Sequence, residues 1–305
     1  MIEASRRDFL KQAAATGAMA WGAGLLLPEE ARGDEKLRGD IRLGLVTYQW
    51  GRDWDLPTLI ANLAKTKVLG VELRTGHAHK VEPGIDAGQR LEVKKRFADS
   101  PVTLVGLGST EEFHSPDPKK LRQAIESTKA FIKLSHDVGG SGVKVRPNAL
   151  PKGVPVEKTV EQIGKSLNIV GAFGADYGQQ IRLEIHGGCA RIPIIKQIMD
   201  FATHPNVGLC WNTNAQDLEQ PGLEYNFNLV KARLGGTTHC KTVDFKDYPM
   251  QQLLNLFVAA KYHGWWLIEA GGKDPPDRVQ ALAQQRVLFD AMLQKAIGSQ
   301  RSAIG

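Results

Sequence analysis

The 305-residue chain is 42% apolar and 24% charged, the composition of an ordinary globular protein with room for one large domain or two small ones. Its formal charge of +6 comes from lysines and arginines spread along helix faces, with no dense basic run, which argues against nucleic acid as a partner. Three cysteines, Cys189, Cys210 and Cys240, are too few and too irregular for a disulfide framework or a zinc knuckle and read as small buried side chains.

The first segment with a signal of its own is Ser5-Arg6-Arg7-Asp8-Phe9-Leu10-Lys11, which fits the twin-arginine export signature at each position and leads into a weakly apolar run from Ala13 to Leu27. That run is too short and too rich in Gly and Ala to span a bilayer, which takes about 20 strongly apolar residues, so no stable membrane insertion is expected. Ala31-Arg32-Gly33 supplies small residues for cleavage. Residues 1–33 thus read as a signal peptide and 34–40 as a short linker; the export machinery is a partner and the periplasm the destination.

Beyond the linker one unit repeats. Strand candidates rich in Val, Ile and Leu begin near Ile41, Val68, Val102, Val143, Ile181, Val207, Thr237 and Trp266, each followed by a helical pattern. Pro57 opens the first helix. Asp117-Pro118 caps another, whose stripe of Leu121, Ala124, Ile125, Thr128, Ile132 and Ser135 ends at Gly139-Gly140. Further helices are expected from Val156 to Phe173 and from Tyr248 to His263. Eight such units predict an α/β fold, a (β/α)₈ TIM barrel over 41–297 with a tail at 298–305. An open doubly wound sheet is disfavoured because no strand runs into a Gly-x-Gly-x-x-Gly turn.

Polar residues at the C-terminal ends of barrel strands converge on one mouth, where barrel enzymes place their chemistry. Alternation sets Arg182, Glu184 and His186 on one face of strand five, Cys210, Asn212 and Asn214 on one face of strand six, and His239 and Lys241 on one face of strand seven; Glu269 ends strand eight. Glu184 and Glu269 are the proton-transfer candidates, because a carboxylate at a buried strand end needs a metal, a base or a bound polyol beside it. Lys241 and His186 join them as catalytic candidates. Lys144, Arg146, His77, His114 and Asn214 are candidate substrate contacts, although for Lys144 and Arg146 pairing with carboxylates of neighbouring strands is the favoured reading. Glu72, Arg74, His79 and Glu111 add to the polar rim, and Trp265 and Trp266 read as packing. Such a mouth suits a polar, hydroxylated or anionic small molecule.

The order Glu-x-His after strand five, Trp-Asn-x-Asn after strand six, His-x-Lys on strand seven and Ile-Glu on strand eight resembles the xylose-isomerase-like TIM barrels, a group holding sugar-phosphate isomerases and epimerases and endonuclease IV-type AP endonucleases. The resemblance implies that strands five to eight give Glu, Asp, His and Glu to one divalent cation (Mn, Mg or Zn), with the two Glu moving protons on the substrate. Carried over, the ligand set is Glu184, Asn212, His239 and Glu269, with Asn where the family has Asp and Lys241 within the strand-seven pattern. An ammonium has no lone pair to give a metal and repels each unit of the metal's charge by about 4 kcal/mol at about 4 Å and an effective dielectric near 20. Two chemistries therefore stand side by side: a metal held by the altered set, or metal-free catalysis in which Lys241 balances the carboxylates or acts as base or Schiff-base nucleophile. The expected function is an exported isomerase or epimerase that abstracts a proton next to a carbonyl of a carbohydrate. A keto-sugar lyase and a degenerate carbohydrate-binding barrel are the alternatives, and an AP endonuclease-like phosphodiesterase comes last.

Overall fold

The computed structural model describes residues 40–304; the export signal falls outside the described residues. Eight parallel strands close into a barrel in chain order: β1 (Asp40–Val46), β2 (Gly70–Arg74), β3 (Thr103–Glu112), β4 (Gly142–Arg146), β5 (Gln180–Glu184), β6 (Val207–Asn212), β7 (Leu234–Cys240) and β8 (His263–Ile268). β1 closes the ring on β8 in register from Asp40↔His263 to Leu45↔Ile268. Helices alternate with the strands: α1 (Leu56–Thr66), α2 (Ala87–Ala98), α3 (Pro118–Val138), α4 (Val156–Asp176), α5 (Ile192–Phe201), α6 (Leu223–Val230), α7 (Met250–Ala259) and α8 (Arg278–Ile304). None of the described helices is long and apolar enough to cross a membrane.

The caps behave as their residues dictate. The Asp55 side chain accepts the Thr58 amide at 2.9 Å to start α1, and Asp117 accepts that of Lys119 at 2.8 Å to start α3, each with Pro in the first turn. Gly139, at φ +87°, closes α3. Two boundaries differ from expectation. β7 begins at Leu234 because its Gly235 is strand, not a break: Gly235 lies so close to β6 that a Cβ built on Gly208 would stand 2.6 Å from its Cα. α7 spans only Met250–Ala259, because Tyr248 is drawn inward to a buried hydrogen bond and β8 already starts at His263.

Most of the core is the sleeve between strands and helices, where Leu59, Ile132, Ile163, Ile195, Leu253 and Trp266 are almost completely buried. A second cluster of Val46, Val105, Trp265 and Leu267 fills part of the bore. The bore also holds buried charge. Arg182 reaches the Val105 carbonyl at 3.1 Å and the Ser141 hydroxyl at 2.8 Å, so its donors are matched with no carboxylate in contact. All three cysteines are free and buried.

Candidate active site at the barrel mouth

Parallel strands of a barrel end on the same rim, and four of the predicted side chains meet there. Glu184 is the last residue of β5, Asn212 the last of β6, His239 lies one residue before the end of β7, and Glu269 follows β8 directly. His239 Nδ1 stands 3.6 Å from Glu184 Oε1 and 3.6 Å from Glu269 Oε1. Its other ring nitrogen meets Glu72 Oε1, from β2, at 3.0 Å. Asn212 Nδ2 donates to Glu184 Oε1 at 2.8 Å, and the Lys144 ammonium of β4 sits 2.7 Å from Glu184 Oε2. The Lys144 and Glu184 side chains are only 4% and 2% exposed.

Burial and neighbouring charge pull against each other here. Burial raises the Glu184 carboxyl, but the Lys144 ammonium and His239 outweigh it and hold Glu184 well below the usual carboxylate range. Glu269 has the opposite outcome: burial pushes it up, His239 pulls it down without prevailing, and Glu184 adds repulsion. At His239 burial disfavours the charged ring, yet Cys210, Glu72 and Glu269 raise it well above an ordinary histidine. Glu72 is held below its ordinary value, because His239 outweighs the effect of its complete burial. The space between Glu184, His239 and Glu269 therefore attracts a cation.

The donor set fits a metal as well as a proton. The ligand atoms of Glu184, His239 and Glu269 all lie within 4.8 Å of one another, and His239 Nδ1 is buried with no hydrogen-bond partner. Four ligands about 2.1 Å from a tetrahedral zinc stand roughly 3.4 Å apart, close to the spacings here. Glu72 on the far ring nitrogen is the carboxylate–histidine arrangement that turns the free lone pair toward a metal. Asn212 departs from the expected set: it turns its nitrogen, not its carbonyl oxygen, to Glu184, since only a donor is tolerated 2.8 Å from a carboxylate. The atoms that could hold a metal are thus three, with Asn212 supporting one of them.

Comparison with known proteins supports the geometry. Residues 60–289, most of the chain, match the xylose isomerase-like TIM barrel family. The chain belongs to that family. No curated protein sequence matches it. Among solved structures it is similar to an L-ribulose 3-epimerase (TM-score 0.74, 14% identity, covering 87% of this chain and 98% of that one). It is also similar to a 3-keto-D-glucoside 4-epimerase from E. coli (TM-score 0.68, 13% identity, 84% and 100%) and to the IOLI protein solved with a bound zinc atom (TM-score 0.66, 14% identity, 84% and 99%). At these identities the likeness establishes the shared fold.

In this xylose isomerase-like barrel Glu184, Asn212 and Glu269 open onto a cavity of about 390 Å³ lined also by Tyr48, Arg74, Lys144, Arg146, His186, Asn214, Gln216 and Lys241, with His239 buried behind them. Arg146 reaches it but is engaged with Glu112 at 2.6 Å, and His186 with Asn148 at 2.8 Å. Asn214 donates to the Ile185 carbonyl at 2.8 Å. Gly187 lets the β5 loop lie on that of β4: its φ is +64°, and a Cβ there would meet the Asn148 carbonyl oxygen at 2.3 Å. Of the two lysines, Lys144 and not Lys241 contacts Glu184. Lys241 follows β7 in a loop, faces the cavity, and makes no side-chain ion pair or hydrogen bond among the described residues. His77 and His114 lie outside the cavity lining. His77 contacts Thr47 and Arg74, each at 3.3 Å, and His114 stands 3.6 Å from Glu112. His79 accepts the Val81 amide and contacts the Arg74 carbonyl, which makes it a loop clasp.

Sequence reasoning placed Glu72 only on the rim and missed its bond to His239, which spans strands far apart in the ring and leaves no spacing signal. It also missed Asp217, buried in the loop after β6. Asp217 accepts from the Tyr248 hydroxyl at 2.8 Å and the Asn214 amide at 3.0 Å, its other oxygen has no partner, and burial pushes it up to about 7.

Proposed function

We propose that this protein transfers a proton at the carbon next to a sugar carbonyl, as an isomerase or epimerase does, with Glu269 as the principal acid–base group and Glu184 as its fixed counterpart. The observation that carries this reading is the unequal pair of carboxylates converging on His239 from β5 and β8. Glu184 has both oxygens engaged and is held low, which makes it a weak base and a firm anchor. Glu269 faces the cavity, its carboxylate makes no hydrogen bond among the described residues, and it is raised, which brings it toward the pH at which a carboxyl takes and returns protons efficiently. Lys144 and Asn212 keep Glu184 in place, and Glu72 fixes His239.

Glu184, His239 and Glu269 would hold a divalent cation such as zinc or manganese, which supplies Lewis-acid polarisation of a carbonyl when bound. The same reading takes the enzyme to be exported to the periplasm, on the strength of the Ser5–Lys11 motif.

The test is deuterium wash-in from D₂O across a panel of neutral and anionic aldoses and ketoses. Wild type is expected to label the carbon beside the carbonyl of at least one sugar, and Glu269→Gln to lose about 10²–10⁴-fold of that rate while keeping its melting temperature. No labelling anywhere in the panel, or full labelling by Glu269→Gln, rejects the proposal.

A further inference from the structure

The charges around the cavity do not cancel. Four cationic side chains, Arg74, Lys144, Arg146 and Lys241, face it against two carboxylates, Glu184 and Glu269. Lys144 is matched by Glu184 at 2.7 Å and Arg146 by Glu112 at 2.6 Å. Arg74 and Lys241 remain: Lys241 is offset in part by Glu269, and Arg74 makes no ion pair among the described residues.

These two cations are placed alike. Arg74 ends β2, half-buried, and its guanidinium spends its contacts on the Thr75 carbonyl, the His77 ring and the Tyr48 face, with no carboxylate among them. Lys241 follows β7, also half-buried, its ammonium unpaired among the described residues. Glu269 and Tyr48 follow the two strands that lie between β7 and β2 in the ring, so the two cations flank the proposed proton-transfer group. A half-buried cation without a counter-ion is tolerated where a ligand supplies the charge. A neutral polyol gives hydroxyls but no charge, and a cation at Glu184, His239 and Glu269 only enlarges the surplus.

We infer that the substrate is an anionic sugar, whose carboxylate or phosphate is held between Arg74 and Lys241. The inference rests on the proposed sugar chemistry for the word sugar, but the anion site stands on the charges alone. Arg74 offers a planar fork suited to two oxygens, and Lys241 a point charge with three donors. The anchored group fixes one end of the substrate and so orients the carbon that Glu269 meets.

Calorimetric titration with glucuronate, glucose 6-phosphate, inorganic phosphate and glucose tests this without turnover. At low salt at least one anionic probe is expected to bind ten or more times as tightly as glucose, and to weaken as salt rises. Tighter glucuronate identifies a sugar acid, and tighter phosphate or glucose 6-phosphate a phosphorylated sugar. Lys241→Met and Arg74→Met should each cost the favoured anion at least fivefold and change glucose less than twofold, while Lys241→Arg keeps the preference. Glucose binding as tightly as every anion, no anion binding at all, or a preference unchanged in both Met variants overturns the inference. Deuterium wash-in on a neutral sugar without any anion preference would reject it and leave the proposed reaction standing; anion binding without wash-in would do the reverse.

Discussion

The two halves of the barrel mouth carry similar residues in different states. On the β4–β6 side the polar strand-end groups have internal partners: Lys144 and Asn212 on Glu184, Arg146 on Glu112, His186 on Asn148, Asn214 on the Ile185 carbonyl. On the side running from β7 through β8 and β1 to β2, Lys241, Glu269, Tyr48 and Arg74 share no ion pair or hydrogen bond with one another, and Arg74 meets the Tyr48 face, the Thr75 carbonyl and the His77 ring but no carboxylate. One half is completed by folding, and the other is left for a ligand to complete. Residue type alone does not separate a scaffold from a reactive group; the presence of a partner does.

The sharpest division is between activity and stability. Glu269→Gln should remove about 10²–10⁴-fold of proton exchange and shift stability by less than about 1 kcal/mol. Lys144→Met, which leaves a buried Glu184 without its cation, should lower unfolding free energy by about 3–5 kcal/mol in urea melts. If Glu269→Gln unfolds the protein or Lys144→Met is silent, the two halves are not different in kind.

Asp217 brings pH into the same contrast. Its folded value of about 7 lies above the ordinary aspartate value, so its contribution is fully present below about pH 4 and is lost as pH rises through 7. Wild type should lose a few kcal/mol, at most about 4, relative to Asp217→Asn between pH 4 and 8, read from denaturation midpoints. A parallel pH dependence in the two proteins would contradict its burial without a counter-charge. Glu72→Gln weakens the support of His239 and should reduce zinc affinity about 10–100-fold by competition titration. Smallest of all, Lys241→Met should change stability by no more than about 0.5 kcal/mol, because the ammonium makes no ion pair or hydrogen bond among the described residues.

The barrel was legible because its signals are local: apolar runs of strand length, the Asp117-Pro118 cap and the Gly139 stop each act within a few residues. Glu184, Asn212, His239 and Glu269 were legible because strand ends share one rim once the topology is given. Pairing was expected for Lys144 and Arg146; what escaped was which partner each would take. Which lysine meets Glu184 depends on stagger between β4 and β5, and nothing within either strand distinguishes Lys144 from Lys241 as that partner. Tyr248 was read as the start of a helix because its role, a hydroxyl on Asp217, lies 31 residues away in the chain.

The bond from Glu72 to His239 has a mechanical side. It runs between β2 and β7, which are not neighbours in the ring, and so acts as a tie rod through the bore just beneath the chemistry. A barrel braced in this way cannot widen its throat to admit a bulkier molecule without breaking a buried, charge-assisted contact. Size selection would then be set by the wall itself, with no need of a moving flap.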